Sequence, residues 1–257
     1  MFIYSLPLDR IFRTALIIQF ALSVPTFLAL LFIRAPYGKF SREGWGARMN
    51  SLLAWVIMEL PAVVFPVLMA LLFRDTIGFG WIFLAIWEFH YLYRTIWFPL
   101  RMSHNSRKSF PVSMVSMALF FHIINCLVNF VFLFYLRPVT TPFWFTDIRF
   151  LLGLAVFLSG FALHFDSDRR IQKQKTGPGV YVIPKGGFFR WVAGPNYLGE
   201  IIQWFGWALL TWSVAGLAFA VFTFANVFPR ALAGYKWYLS EFEDCPENWK
   251  AVIPGII

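Results

Sequence analysis

The chain has 257 residues, of which 59% are hydrophobic and only 14% charged, against about 45–50% and about 25% in soluble domains. With a mean hydropathy of +0.65, a soluble globule and a disordered chain are both excluded, which leaves a polytopic membrane protein. The 22 Lys and Arg residues against 13 Asp and Glu give a net charge of +9, which in such a protein reads first as loop orientation and not as a nucleic-acid footprint.

A spanning helix needs about 20 apolar residues. Residues 1–13 lack the apolar core and small-residue site of a cleaved leader, so the first span is expected at 11–33. Further apolar runs follow at 51–73, 77–100, 112–136 and 149–165. The stretch 197–228 is too long for one span and carries Thr211, Trp212, Ser213 and Gly216 near its middle. It is read as two short helices in a hairpin, with one long tilted helix as the alternative. The expected fold is an all-α integral membrane protein of seven transmembrane helices, a single domain over 1–257 without a Rossmann unit. With seven spans, only Arg10, Arg13, Arg74, Arg137 and Arg149 fall on one side. The other basic residues fall in the odd loops and the C-terminal tail, which the positive-inside rule puts in the cytoplasm.

Two polar segments stand out. Residues 166–190, with TGPG and IPKGG, read as a long cytoplasmic loop, and loops of that length in compact proteins are usually functional. Residues 230–257 are aromatic and of mixed charge, and read as a cytoplasmic amphipathic helix at the bilayer surface. Cys126 and Cys245 make no disulfide framework and show no metal spacing, so no metal is expected. There is no G-x-G-x-x-G after a strand, Walker loop, H-E-x-x-H or nucleophile elbow. Any nucleotide would therefore bind between helices and cytoplasmic loops.

Ionisable groups inside spans are costly and are functional candidates by default. Glu59 lies deep in the second span, with Trp55 one turn earlier on the same face and Pro61 just after it. Pro61 withholds a backbone donor and is expected to open the helix. A carboxylate beside an indole there suits a largely apolar ligand with one polar end; a Glu satisfied by a neighbouring helix is the alternative. In the third span Glu88, Tyr91 and Arg94 or Thr95 share a face. Tyr91 beside Arg94 can donate a hydrogen bond to a carbonyl oxygen, or can serve only as an interfacial aromatic. His122, alone in the fourth span with no acid or second His at helical spacing, is a further candidate, or a hydrogen-bonded packing residue. Past the fifth span His164, Asp168 and Lys175 share a face beside Gln172, offering acid, amide and cation to ribose hydroxyls and phosphates. Asn196, Glu200 and Gln203 form a polar stripe on the next helix, with Asn196 also suited to cap it. Tyr238 suits an anchor or a lid.

These residues sit in blocks that resemble the steroid 5-alpha-reductases. The blocks are ELP at 59–61, HY.YRT at 90–95, TDIRF at 146–150, the Ser167–Asp168 pair, IPKGG, NYLGEIIQW at 196–204, WALLTWS at 207–213 and YL…FED.P…KA.IP at 238–254. The resemblance implies a seven-helix membrane enzyme that uses NADPH to reduce the Δ4 double bond of a 3-oxo-Δ4 steroid. It implies that Glu59 and Tyr91 face the steroid C3 carbonyl and that Asn196, Asp168 and Tyr238 contact NADPH. Glu200 and Arg94 join them as candidate cofactor-binding residues. His164 stands where relatives carry Asn, Lys175 and Lys108 where Arg is common, and Met58 where Gln can occur. Val182 and Met117 replace basic residues of some relatives. A Lys lacks the bidentate fork of Arg, so cofactor geometry is expected to differ. Glu88 matches no block and is given no role.

Enone chemistry then assigns roles. Hydride at C5 pushes electrons onto the C3 oxygen, and a preorganised donor there stabilises the enolate. Tyr91 is the expected donor, with Glu59 orienting it or, if protonated, donating directly; C4 takes a proton from solvent. Steroid is expected to enter from the bilayer between helices lined by Trp55, Met58, Phe219 and Phe222. The expected partners are the steroid and membrane lipids, with no nucleic acid, in a monomer. The expected site is the bacterial inner membrane, or the endoplasmic reticulum in a eukaryote, with C-terminus and cofactor side cytoplasmic. The alternatives are a related sterol or enoyl-thioester reductase and a non-enzymatic sterol binder or transporter. An isoprenylcysteine methyltransferase-like reading is weaker, because the blocks favour the reductases.

Overall fold

The computed structural model describes residues 7–102, 109–174 and 181–257. Eight helices follow in chain order: α1 (Leu8–Phe32), α2 (Ser51–Leu72), α3 (Gly80–Leu92), α4 (Phe98–Arg101), α5 (Val112–Val131), α6 (Ile148–Gln174), α7 (Pro195–Thr211) and α8 (Val214–Glu241). A π-helical turn, Tyr93–Trp97, joins α3 to α4 in one run, and another, Phe132–Leu136, extends α5. Among the described residues, five helices are long and apolar enough to cross a bilayer: Leu8–Phe32, Ser51–Leu72, Val112–Leu136, Ile148–Gln174 and Val214–Glu241. The chain is thus a multi-pass, all-helical membrane protein. Length and apolarity do not by themselves raise the count to seven, because α3 alone has 13 residues and α7 has 17.

The stretch 197–228 divides in two for a local reason. Trp212 adopts a left-handed conformation, φ 45°, which stops α7. Ser213 then caps α8, its Oγ accepting from Gly216 N at 2.8 Å. At this same end, Asp147 Oδ1 accepts from Arg149 N at 2.8 Å in the first turn of α6. Hydrogen bonds from the Arg149 guanidinium hold the half-buried Asp147 carboxyl down at about 2.

Three expectations need correction. Residues 166–174 are not loop but the last turns of α6, where i,i+4 pairing of Arg170 with Asp166 at 2.7 Å accommodates the charges. The tail is not an amphipathic helix: residues 230–241 complete α8, and beyond Glu241 the chain runs in turns. There Lys250 N donates to Trp191 O at 3.0 Å and Ala193 N to Lys250 O at 2.8 Å. Trp249, Ala251 and Val252 are buried, and Trp249 Nε1 donates to the Phe189 carbonyl. Prolines 246 and 254 and the left-handed Gly255 disfavour a helix there. Finally, α2 runs unbroken through Pro61 and Pro66, so Pro61 does not open it.

A two-stranded antiparallel ribbon pairs Arg48–Asn50 with Ser109–Pro111. These strands lead directly into α2 and α5 and tie the two helix starts together, and Asn50 Oδ1 caps α2 by accepting from Leu52 N at 2.9 Å. Below the ribbon the core is aromatic. Trp87 packs within 5.4 Å, centroid to centroid, of Tyr91, Phe130, Trp204, Trp207 and Phe219. A buried amide line crosses this core: Gln19 donates to Asn125 Oδ1 at 2.9 Å, as does Asn129 at 3.0 Å, and Trp207 Nε1 donates to Asn129 Oδ1 at 2.9 Å. Such bonds link helices where no water competes.

Helix α6 lies closest of all to α7. Gly153 and Gly160 on α6 and Gly199 and Gly206 on α7 leave no room for a methyl group. A Cβ on Gly199 would stand 2.5 Å from His164 N, and one on Gly160 would meet the backbone of Gln203. This glycine seam brings backbone against backbone. It sets His164 and Asp168 of α6 directly against Asn196 and Glu200 of α7.

Candidate active site

The site forms where α2, the α3 run, α5, α6 and α7 converge. Arg94, on the π turn, is its centre. Its guanidinium lies 3.4 Å from Glu59 Oε1, 3.8 Å from Asp168 Oδ2 and 3.9 Å from Glu200 Oε1. The four side chains are only 7–19% exposed. One cation therefore serves three carboxylates at low dielectric, and charges taken out of water at that cost are stable only when neighbours compensate them. The flat face of Arg94 rests over Trp55 at 4.7 Å and Phe98 at 5.0 Å.

Tyr91 lies beside this cluster, buried, with its ring against Trp87, His90, His122 and Trp204. His122 is not a lone packing residue: its Nε2 lies 3.4 Å from Glu59 Oε2. His164 meets Asp168 Oδ2 at 3.3 Å through Nε2, and Glu200 Oε1 at 3.6 Å and the Asn196 carbonyl at 3.3 Å through Nδ1. His90 and Gln203, both buried, pair at 2.9 Å. Thus Glu59, Arg94, His164, Asp168, Asn196 and Glu200 come together with Tyr91 alongside.

Several buried polar atoms here make no hydrogen bond among the described residues: Trp55 Nε1, Thr95 Oγ1, His122 Nδ1 and Gln203 Oε1. Such atoms are rare in protein interiors and call for a water, ion or ligand. Their mixture of donors and acceptors suits a polyhydroxylated, amide-bearing ligand.

The remaining residues fall elsewhere. Tyr238 belongs to a second cluster with Ile183, Phe189, Ala193 and Trp249. Lys39 stands over its ring at 4.1 Å. A small cleft there is lined by Ile171, Gln174, Tyr181, Val182, Pro184 and Tyr238. Burial pushes the Tyr181 phenol up. Met58 packs with Ala54, Phe110 and Val115, apart from Phe219 and Phe222. Phe222 stacks on Phe121 at 3.8 Å, and Phe219 packs on Trp204 at 4.2 Å. Half-buried Glu88 has an oxygen without a hydrogen bond among the described residues. Lys108 and Lys175 lie outside the described residues.

Sequence reading missed the links between helices. Spacing along one helix cannot show that His122 reaches Glu59, nor that His90 meets Gln203. Only their ionisable or amide character inside apolar runs marked them at all.

Comparison with known proteins gives a consistent result. The family model described as 3-oxo-5-alpha-steroid 4-dehydrogenase matches residues 108–257. Steroid 5-alpha-reductase DET2 of Arabidopsis thaliana is 37% identical over 255 residues, spanning 95% of this chain and 96% of its own. The 3-oxo-5-alpha-steroid 4-dehydrogenase 1 of Bos taurus is 33% identical over 252 residues, 93% of this chain and 95% of its own. The 3-oxo-5-alpha-steroid 4-dehydrogenase 2 of Macaca fascicularis is 35% identical over 236 residues, 88% and 91% respectively.

Proposed function

The chain belongs to the 3-oxo-5-alpha-steroid 4-dehydrogenase family of oxidoreductases, and on that premise we propose that it reduces the Δ4 double bond of 3-oxo-Δ4 steroids with NADPH. The observation that supports this reading best is the buried cluster of Arg94 with Glu59, Asp168 and Glu200, next to Tyr91 and beside polar atoms that make no hydrogen bond among the described residues. Trp55 Nε1, Thr95 Oγ1 and Gln203 Oε1 fit a ligand rich in hydroxyl and amide groups.

In this reading His164, Asp168, Asn196, Glu200 and Arg94 hold the cofactor, with Tyr238 nearer the cytoplasm. When bound, NADPH would supply the hydride that C5 of the steroid accepts. Tyr91 donates a hydrogen bond to the C3 oxygen and stabilises the negative charge that develops there. Glu59 orients Tyr91, and C4 takes its proton from solvent. The aromatic walls leave the steroid's apolar body in apolar company. Steroid enters laterally, past Trp55, Phe219 and Phe222, and one chain is the working unit.

The same proposal counts seven spans. The α3–π–α4 run and α7 join the five long helices, and the odd loops and C-terminus are cytoplasmic under the positive-inside rule. A bacterial inner membrane suits this orientation.

The test is purified protein with a panel of Δ4-3-ketosteroids and enoyl-CoAs, NADPH or NADH, and product identification. The expected product is the 5α-reduced 3-oxosteroid, formed with NADPH. E59Q and Y91F should each lower kcat by about 10²–10³, the scale of one lost oxyanion donor, while the protein stays folded. Steroid binding without cofactor oxidation, or reduction of enoyl-CoA alone, would overturn the proposal.

A further inference from the structure

We propose that His122 is a positioning residue of this reaction: it holds Glu59 by the oxygen that Arg94 leaves free and so fixes the carboxylate beside Tyr91. The inference rests on the reading of Glu59 and Tyr91 given above.

The two Glu59 oxygens have different partners. Oε1 faces Arg94 at 3.4 Å, and Oε2 faces His122 Nε2 at 3.4 Å. Arg94 is divided among three carboxylates and cannot by itself fix the rotation of the Glu59 group. A second hold from α5 on the other oxygen removes that freedom. The His122 ring also stands edge-on to Tyr91, centroids 5.6 Å apart at 85°. One side chain thus touches both groups assigned to the C3 carbonyl.

The neighbouring residue aims it. Phe121 stacks on Phe222 of α8 at 3.8 Å and 15°. This stack holds the rotation of α5, so that His122 is presented to α2 and α3. The titratable and charged groups brought to this histidine are Glu59 from α2, and His90 and Tyr91 from α3, with Arg94 beyond Glu59. Because a carboxylate only accepts, the proton between the pair lies on Nε2 when Glu59 is ionised. Nδ1 is buried and without a hydrogen bond among the described residues. An imidazole at membrane depth is costly unless a partner compensates it. The Glu59 contact is the compensation.

The test uses the full chain in detergent or lipid discs. H122L should lower kcat for steroid reduction about 10²-fold, the scale of a misplaced reacting group, with little change in steroid KM. H122Q places an amide nitrogen where the imidazole Nε2 stood and should recover most of that loss. Wild-type-like turnover in H122L, or an H122Q as slow as H122L, would overturn the proposal. A second measurement needs no turnover: unfolding midpoints of E59L, H122L and the double variant. The loss caused by H122L should largely vanish in the E59L background, and additive losses would overturn the pairing. If the wild-type chain reduces no steroid, the reading of the site fails while this cycle still decides the pair.

Discussion

Arg94 shows how a single residue sets the electrostatics of the site. Sequence spacing puts it on one face with Tyr91 but is silent on its partners. Glu59, Asp168 and Glu200 stand on α2, α6 and α7, and only the fold reveals that one guanidinium answers all three. The π turn that carries Arg94 was equally illegible, because apolar periodicity does not distinguish one wide turn from a regular one. R94L would leave three nearly buried carboxylates without their cation. The expected loss is about 3–5 kcal/mol, as for breaking a buried ion pair, read as a fall in the unfolding midpoint. R94K keeps the charge but not the planar fork. It should keep most of that stability and still lose most steroid reduction, so the two variants separate charge from geometry.

At the scale of elements, the strong apolar runs were easy to read and their ends were not. Local chemistry explains the difference. The split at Trp212 was foreshadowed by Thr211, Ser213 and Gly216, which are poor helix-interior residues. The extension of α6 to Gln174 was hidden, because charged residues read as loop until i,i+4 pairing is counted. The glycine seam was missed altogether. Gly153 and Gly160, and likewise Gly199 and Gly206, are seven residues apart, which puts each pair on one face two turns apart. The seam fixes the distance between His164 and the N-terminal half of α7. G199A would press a methyl group onto the His164 backbone, 2.5 Å from its nitrogen. Overpacking of this kind costs about 1–3 kcal/mol. Because it pushes apart the residues assigned to the cofactor, KM for NADPH should rise more than KM for steroid. A G199S variant should behave alike.

For the whole molecule, composition identified the membrane class, but not how the chain closes on itself. The C-terminal segment looked like a surface helix because its aromatics and charges alternate. Instead it returns as a strap on the turn before α7: Gly194 N donates to Ala251 O at 3.0 Å, and Trp249 is 1% exposed. Trp249 also packs on Tyr238, centroids 5.6 Å apart. The strap therefore couples the end of α8 to the start of α7, which carries Asn196 and Glu200. W249A would remove a buried indole and its hydrogen bond to the Phe189 carbonyl, a change that costs about 3–5 kcal/mol. Glu59, Tyr91 and His122 lie on α2, α3 and α5, outside the strap's contacts. The expected outcome is a lower unfolding midpoint and a raised KM for NADPH, with steroid KM nearly unchanged. Steady-state kinetics with each substrate varied in turn would read that asymmetry, and equal effects on both would mean that the strap supports the whole bundle and not the α7 entry alone.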